Sequence, residues 1–182
     1  MRVVAGKYKG FNLMAPKGKN TRPTDNKIKE AIFDMLYPIK TNGNALDLFA
    51  GSGQMGIEFL SRGLEKVYFN ESDRNSFRVL KENIEKIKDD NYELSKLDFK
   101  MALENYKNQG IKFDYIFLDP PYAEDFIKIS LDLILNYELL NEDGIVITES
   151  DRYIEISDTY DLYLVKEKNY GRKIVKIYIK WK

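Results

Sequence analysis

Four consecutive residues, Asp119-Pro120-Pro121-Tyr122, concentrate the chemistry of this chain. They follow Phe113–Leu118, an apolar run with the bulk and alternation of a buried strand. Neither proline can donate a ladder hydrogen bond, and Pro121 biases Pro120 towards an extended backbone. The strand must therefore end here and turn outward. A carboxylate, a free backbone carbonyl and an aromatic ring are left at the carboxyl edge of a sheet, where open α/β sheets bind ligands. That set suits methylation of an exocyclic amine on a planar ring. The amine's lone pair is delocalised into the ring. Asp119 and the Pro120 carbonyl, accepting its two N–H groups, would localise the lone pair and aim it while Tyr122 stacks on the base. A base buried in a stack has to be flipped out to reach such a site. The plainer alternative is that Pro120-Pro121 is only a rigid strand exit.

The second stretch is Asp47-Leu48-Phe49-Ala50-Gly51-Ser52-Gly53, two glycines between a strand and a helix. Glycine lets the backbone approach a ligand closely, and the helix start beyond offers unpaired amides. Gly51, Gly53 and Gly56 also satisfy the G-x-G-x-x-G spacing of dinucleotide proteins, so NAD is not dismissed on spacing. The carboxylates help to decide. Asp47, at a strand end, suits a cationic or amino group that a pyrophosphate would not offer. Glu71, ending the next strand, stands where an acid takes ribose hydroxyls. Asp98, ending the third, is placed for an adenine amino group. Phe49 and Ser72 flank these positions and complete the candidate cofactor set. Each acid alone has a structural alternative: Asp47 a turn residue, Asp98 a helix N-cap, Glu71 a solvated end. At three successive carboxyl edges they favour an adenosyl ligand. A methyl donor activated as a sulfonium needs no histidine base, and the chain has no histidine.

The totals bound the rest. A chain of 182 residues, 43% hydrophobic and 13% aromatic, can fill the core of one domain. There are no cysteines, so disulfides and thiolates are excluded, and the usual zinc ligands are absent with the histidines. No run is long and apolar enough for a membrane span, and Met1–Gly6 leads to Lys7 without a signal-like apolar stretch, so a cytoplasmic location is expected. Net charge is zero but uneven: residues 1–40 carry a net +6, residues 166–182 a net +6, and the middle a net −12. Two basic ends on an acidic body suit a protein that meets a polyanion on one face. Ordinary solvation by lysines is the alternative.

These motifs need a scaffold, and the periodicity supplies one. Strands are expected at Arg2–Ala5 and Phe11–Met14, then a helix after an N-cap at Thr24, with Pro38–Asn44 as a linker. Residues 1–40 read as an appendage facing the polyanion and 41–182 as the main domain. From residue 44, strands (45–49, 66–71, 93–97, 114–118, 144–149) alternate with helices (54–62, 74–87, 99–107, 124–136), which implies a parallel sheet with crossover helices. Strands over 161–168 and 173–181 flank Asn169-Tyr170-Gly171-Arg172 and read as an antiparallel hairpin closing the edge. The fold expected is α/β, a Rossmann-like, mostly parallel sheet of about seven strands.

With these residues assembled, the chain resembles the class I S-adenosylmethionine-dependent methyltransferases of exocyclic amines. Arg2-Val3-Val4-Ala5-Gly6, Gly10, Thr21-Arg22-Pro23-Thr24, Glu30-Ala31-Ile32-Phe33 and Tyr170-Gly171-Arg172 resemble, within that class, the bacterial small-subunit rRNA guanine-N2 methyltransferase family. The resemblance covers nearly the whole chain. It implies S-adenosylmethionine against Gly51 and Gly53, its ribose at Glu71 and adenine at Asp98, and the guanine amine at Asp119–Tyr122. It also implies 16S rRNA, in the small ribosomal subunit or its precursor, near Arg22, Thr24, Lys29 and Arg172, with a monomer sufficing. Two departures stand out. Lys29 replaces an arginine, which loses a bidentate phosphate contact, and Asn70 replaces a more apolar residue. Adenine-N6 methylation of DNA or RNA, a non-methyltransferase nucleotide-binding protein and a non-catalytic RNA-binding module are the alternatives.

Overall fold

The computed structural model describes residues 1–16, 26–121, 125–156 and 160–180. After helix α1 (Asn26–Met35), strands and helices alternate: β1 (Asn44–Asp47), α2 (Gln54–Ser61), β2 (Lys66–Asn70), α3 (Arg74–Ile87), β3 (Tyr92–Ser95), α4 (Phe99–Asn108), β4 (Phe113–Leu118), α5 (Phe126–Asn136) and β5 (Leu140–Ser150). The hairpin β6 (Leu162–Tyr170) and β7 (Lys173–Lys180) closes the chain. The seven strands form one sheet in the order β3-β2-β1-β4-β5-β7-β6, parallel up to β5 and antiparallel from there. The Rossmann-like sheet and terminal hairpin expected from periodicity are therefore present. The chain leaves β1 towards β2 and β3 and returns to β4 and β5 on the other side. The switch point thus falls between β1 and β4, the pair that carries Asp47 and Asp119.

Both sheet faces are covered. Ile28, Ile32 and Phe33 of α1, Ile57 and Phe59 of α2 and Leu80, Ile84 and Ile87 of α3 pack on Ala45, Val67, Phe69, Tyr115, Phe117 and Ile147. Leu103 and Tyr106 of α4 and Leu131 and Ile134 of α5 cover Leu46, Tyr68, Ile116 and Val146 on the other face. With a helix layer on each side, β4 is buried along its whole length, which is why it reads as an uninterrupted apolar run. Its one charged member, Asp114, lies at the opposite edge from the site, taking a hydrogen bond from the Asn44 amide at 3.0 Å and one from Lys40 Nζ at 2.6 Å.

The N-terminal segment differs from expectation. In place of two strands there is one antiparallel bridge, Arg2 to Asn12, around a tight turn. Val3, Tyr8 and Leu13 join the same apolar cluster as α1, α2 and the sheet, so the described part of residues 1–40 packs on the same core. The segment is held by polar contacts that periodicity does not reveal. Glu58, fully buried on α2, accepts from the Val4 and Ala5 amides at 2.9 Å each. Gly6, at φ 80°, passes so close to α2 that a Cβ would lie 1.8 Å from the Ser61 carbonyl oxygen.

Candidate functional site

Four strand ends bring their acids to one face of the carboxyl edge. Asp47 is paired in register with Phe69 and with Phe117, and side chains alternate with a period of two. Glu71 and Asp119, two residues further along β2 and β4, continue on the same face as Asp47. Leu118 is level with Thr148, so Asp119 stands level with Glu149 of β5. A row of carboxylates results, Glu71, Asp47, Asp119 and Glu149, across β2, β1, β4 and β5. Crowded and screened from water, Asp47, Glu71 and Asp119 hold their protons more tightly than usual. Burial raises Asp47 from 3.8 to about 7, opposed by the Gly56 amide and reinforced by Glu71. Burial likewise raises Glu71, against the amides of Asp73 and Gly51. Asp119 lies well above the ordinary carboxylate range, from burial first and then from Glu149, with Lys173 opposing.

The glycine loop is folded against this row. Glu71 accepts from the Gly51 amide at 2.7 Å and the Asp73 amide at 2.8 Å, while Asp47 accepts from Gly56 at 3.0 Å. The three glycines divide their tasks. Gly51, at φ 55°, faces open space, so its missing Cβ leaves the loop surface clear for a ligand. Gly53 and Gly56 face inward, where a Cβ would lie 2.4 Å from Leu80 Cδ1 and 2.1 Å from Phe69 Cε1 respectively. The missing Cβ atoms let the start of α2 sit close on α3 at Gly53 and on β2 at Gly56. A clear loop surface above buried acids fits a ligand that is cationic at its centre, as S-adenosylmethionine is at sulfonium and ammonium, better than a pyrophosphate, because a bound cation draws these acids to their charged form.

Asp98 caps α4 by accepting from the Lys100 amide at 2.9 Å, the structural alternative raised for it, and its side chain remains exposed at the edge. Ser72 is exposed beside Glu71. Phe49 leans on Phe99 at 5.3 Å and lies parallel to Phe126 at 6.2 Å, giving this end of the edge an aromatic wall. Asp119 itself is half-buried, and among the described residues no donor hydrogen-bonds its carboxylate. Pro120 and Pro121 line a recess with Ile127, Glu149, Ser150 and Arg152. Arg172 is exposed in the turn between β6 and β7, at the same edge as Asp119. Tyr122, Arg22 and Thr24 lie outside the described residues.

Lys29 requires a correction. Expected to contact RNA, it is fully buried on α1. Its ammonium donates to the Arg2 carbonyl at 2.6 Å and pairs with Glu58 at 3.2 Å. Burial lowers its pKa, against the pull of Glu58. The departure from arginine therefore bears on the interior and not on a phosphate contact.

Several residues that position the site escaped sequence reasoning. Asn70, fully buried, donates to the Leu48 and Leu97 carbonyls at 3.3 and 3.0 Å and accepts from Ser95 Oγ at 2.8 Å. It ties the ends of β1, β2 and β3 together just below Glu71. Asn83 of α3 donates to the Ser52 and Met14 carbonyls at 2.9 and 3.0 Å and accepts from the Met14 amide at 2.8 Å, bringing the N-terminal segment to the glycine loop. Glu149 and Lys173 form a buried ion pair next to Asp119.

The strand order, the switch-point site and the glycine loop define a Rossmann-like methyltransferase fold, and a solved structure described as "Putative methyltransferase yhhF from Escherichia coli" superposes on it with a TM-score of 0.87 at 25% identity, covering 100% of this chain and 98% of that one. A family model described as "Conserved hypothetical protein 95" matches residues 1–179, and the chain belongs to that family. A Bacillus subtilis (strain 168) relative described as "Putative rRNA methyltransferase YlbH" is 41% identical over 182 residues, 99% of each chain. A Haemophilus influenzae relative, "Ribosomal RNA small subunit methyltransferase D", is 31% identical over 98% of this chain and 93% of its own.

Proposed function

We propose that this chain transfers a methyl group from S-adenosylmethionine to the exocyclic N2 of a guanine in 16S rRNA, within the small ribosomal subunit or its precursor, as a cytoplasmic monomer. The observation that carries the reading is Asp119: a half-buried carboxylate with no donor among the described residues, abreast of a glycine loop at the switch point. The relatives' names agree with a ribosomal RNA substrate. No helix among the described residues is long and apolar enough to cross a membrane.

When bound, S-adenosylmethionine supplies an electrophilic methyl on a positively charged sulfur and departs as a neutral thioether. Gly51 and Gly53 shape the surface for its methionine half, Asp47 and the acid row complement its positive charges, and Glu71, Ser72, Asp98 and Phe49 receive the ribose and adenine. Asp119 and the Pro120 carbonyl accept the guanine amine's two N–H groups, concentrating the lone pair on nitrogen, with Pro121 rigid behind them and Tyr122 stacked on the base. As the nitrogen–carbon bond forms, the amine's surplus proton passes to Asp119 and on to water. Arg22, Thr24 and Arg172 serve the RNA. Two variants test the division of labour, using labelled S-adenosylmethionine and small subunits. Asp119→Ala is expected to cut transfer by at least about a hundredfold with cofactor affinity retained, and Glu71→Ala to weaken the cofactor first. An active Asp119→Ala enzyme would sink the proposed role.

A further inference from the structure

Among the described residues, Lys173 is the cation paired with an acid of this row. Glu149 is opposite Val175 in the antiparallel pairing of β5 with β7, and Lys173, two residues before Val175, projects from the same sheet face. Its ammonium pairs with Glu149 Oε1, with Glu149 fully buried and Lys173 only 14% exposed. Asp119 stands level with Glu149 on the adjacent strand. Four groups therefore bear on one another: Asp47 from β1, Asp119 from β4, Glu149 from β5 and Lys173 from β7, with Glu71 of β2 beyond Asp47. Arg152 and Asp125, at the same edge, pair with each other at 3.1 Å.

We infer that Lys173 is a positioning residue for methyl transfer, whose pairing with Glu149 keeps the Asp119 carboxylate ionised and turned towards the substrate amine. The reasoning is electrostatic. Asp119 accepts an amine N–H more strongly, and can take up the surplus proton, only as a carboxylate, and burial beside other acids favours its protonated form. Without Lys173, Glu149 would either repel Asp119 as an anion or share a proton with it, as closely spaced carboxylates do. Lys173 neutralises Glu149, so that one acid of the adjacent pair remains open to the amine. The residue comes from the C-terminal hairpin, which gives that hairpin a part in the chemistry besides closing the sheet.

This rests on the reading of Asp119 as the acceptor of the amine, and the test separates the two. The variants are Lys173→Met, Lys173→Arg and the double Glu149→Gln/Lys173→Met. For each, single-turnover methyl transfer to small subunits is measured from pH 5.5 to 9, and S-adenosylhomocysteine affinity by calorimetry. Lys173→Met is expected to lose about tenfold or more in turnover at pH 7, with its acid limb moved up by about one pH unit and cofactor-product affinity unchanged. Lys173→Arg restores the limb, and so does the double variant, because both charges are then gone. A merely structural role predicts the opposite pattern, with the limb unmoved in Lys173→Met and the double variant no better than the single. Either result, or wild-type turnover in Lys173→Met, overturns the inference while leaving Asp119's role intact. No transfer by the wild-type chain overturns that role and the inference with it.

Discussion

Glu58 and Lys29 form a buried pair whose two halves differ in what their removal leaves behind. Glu58 has four donors: the Val4 and Ala5 amides at 2.9 Å, Arg62 Nε at 3.0 Å and Lys29 Nζ at 3.2 Å. Lys29 has two acceptors, Glu58 and the Arg2 carbonyl. In Lys29→Met the carboxylate keeps three donors, one carbonyl loses its partner, and the cost of holding an ammonium out of water disappears. The net loss should be about 1–2 kcal/mol. In Glu58→Gln the buried ammonium keeps only a carbonyl, Arg62 loses its counter-charge, and the new amide nitrogen faces a backbone N–H. Breaking a buried pair in this way costs about 3–5 kcal/mol. For a chain of this size the two variants should melt roughly 2–8 °C and 6–20 °C below wild type. Thermal unfolding followed by circular dichroism at pH 7.5, with urea titration as a check, measures both. A Lys29→Met protein less stable than Glu58→Gln would refute the reasoning. So would one with wild-type stability and lost RNA affinity, which would return Lys29 to the RNA surface.

The raised pKa of Asp47 gives a pH dependence of definite sign. The folded protein retains this proton up to about pH 7 whereas the unfolded chain releases it near 3.8, so Asp47 costs stability as pH rises through that window. Asp47→Asn should therefore melt above wild type at pH 8 without cofactor, by up to the order of 4 kcal/mol, with the gap closing towards pH 4; an unchanged gap across a pH series of melting curves would contradict this. Gly56→Ala places a methyl 2.1 Å from Phe69 Cε1 and should cost about 1–3 kcal/mol in urea titration while weakening S-adenosylhomocysteine binding, because α2 carries the glycine loop. Asn83→Ala leaves the Ser52 and Met14 carbonyls and the Met14 amide without that partner; about 2–4 kcal/mol should be lost, and hydrogen exchange should rise at Met14 before it rises in the sheet.

Repeating local patterns made the architecture readable. Phe77, Leu80, Ile84 and Ile87 recur at helical spacing over α3, the apolar run before Asp119 marks β4, and strand–glycine–helix punctuation marks the loop after β1 that faces a ligand. What escaped depends on pairing between distant segments. Glu149 and Lys173 are neighbours only because β7 runs antiparallel to β5, and nothing near either residue announces it. Asn70 stands out only as a polar departure and Asn83 not at all, because their partners lie 22 to 69 residues away in the chain. Lys29 did carry a signal. It precedes Phe33 by four residues and follows Ile28 on the buried face of α1, where a cation needs an internal acid such as Glu58. The strands expected at Arg2–Ala5 and Phe11–Met14 were overridden because the turn at Gly6 docks on α2, leaving one bridge between them.

The most direct test of the central claim offers labelled S-adenosylmethionine with unmethylated small ribosomal subunits, naked 16S rRNA and DNA side by side, and identifies the modified nucleoside by mass. N2-methylguanine is expected from the ribosomal RNA substrates and none from the DNA. N6-methyladenine from any substrate would contradict the choice of amine, and no transfer from a protein that still binds the cofactor would contradict the choice of target.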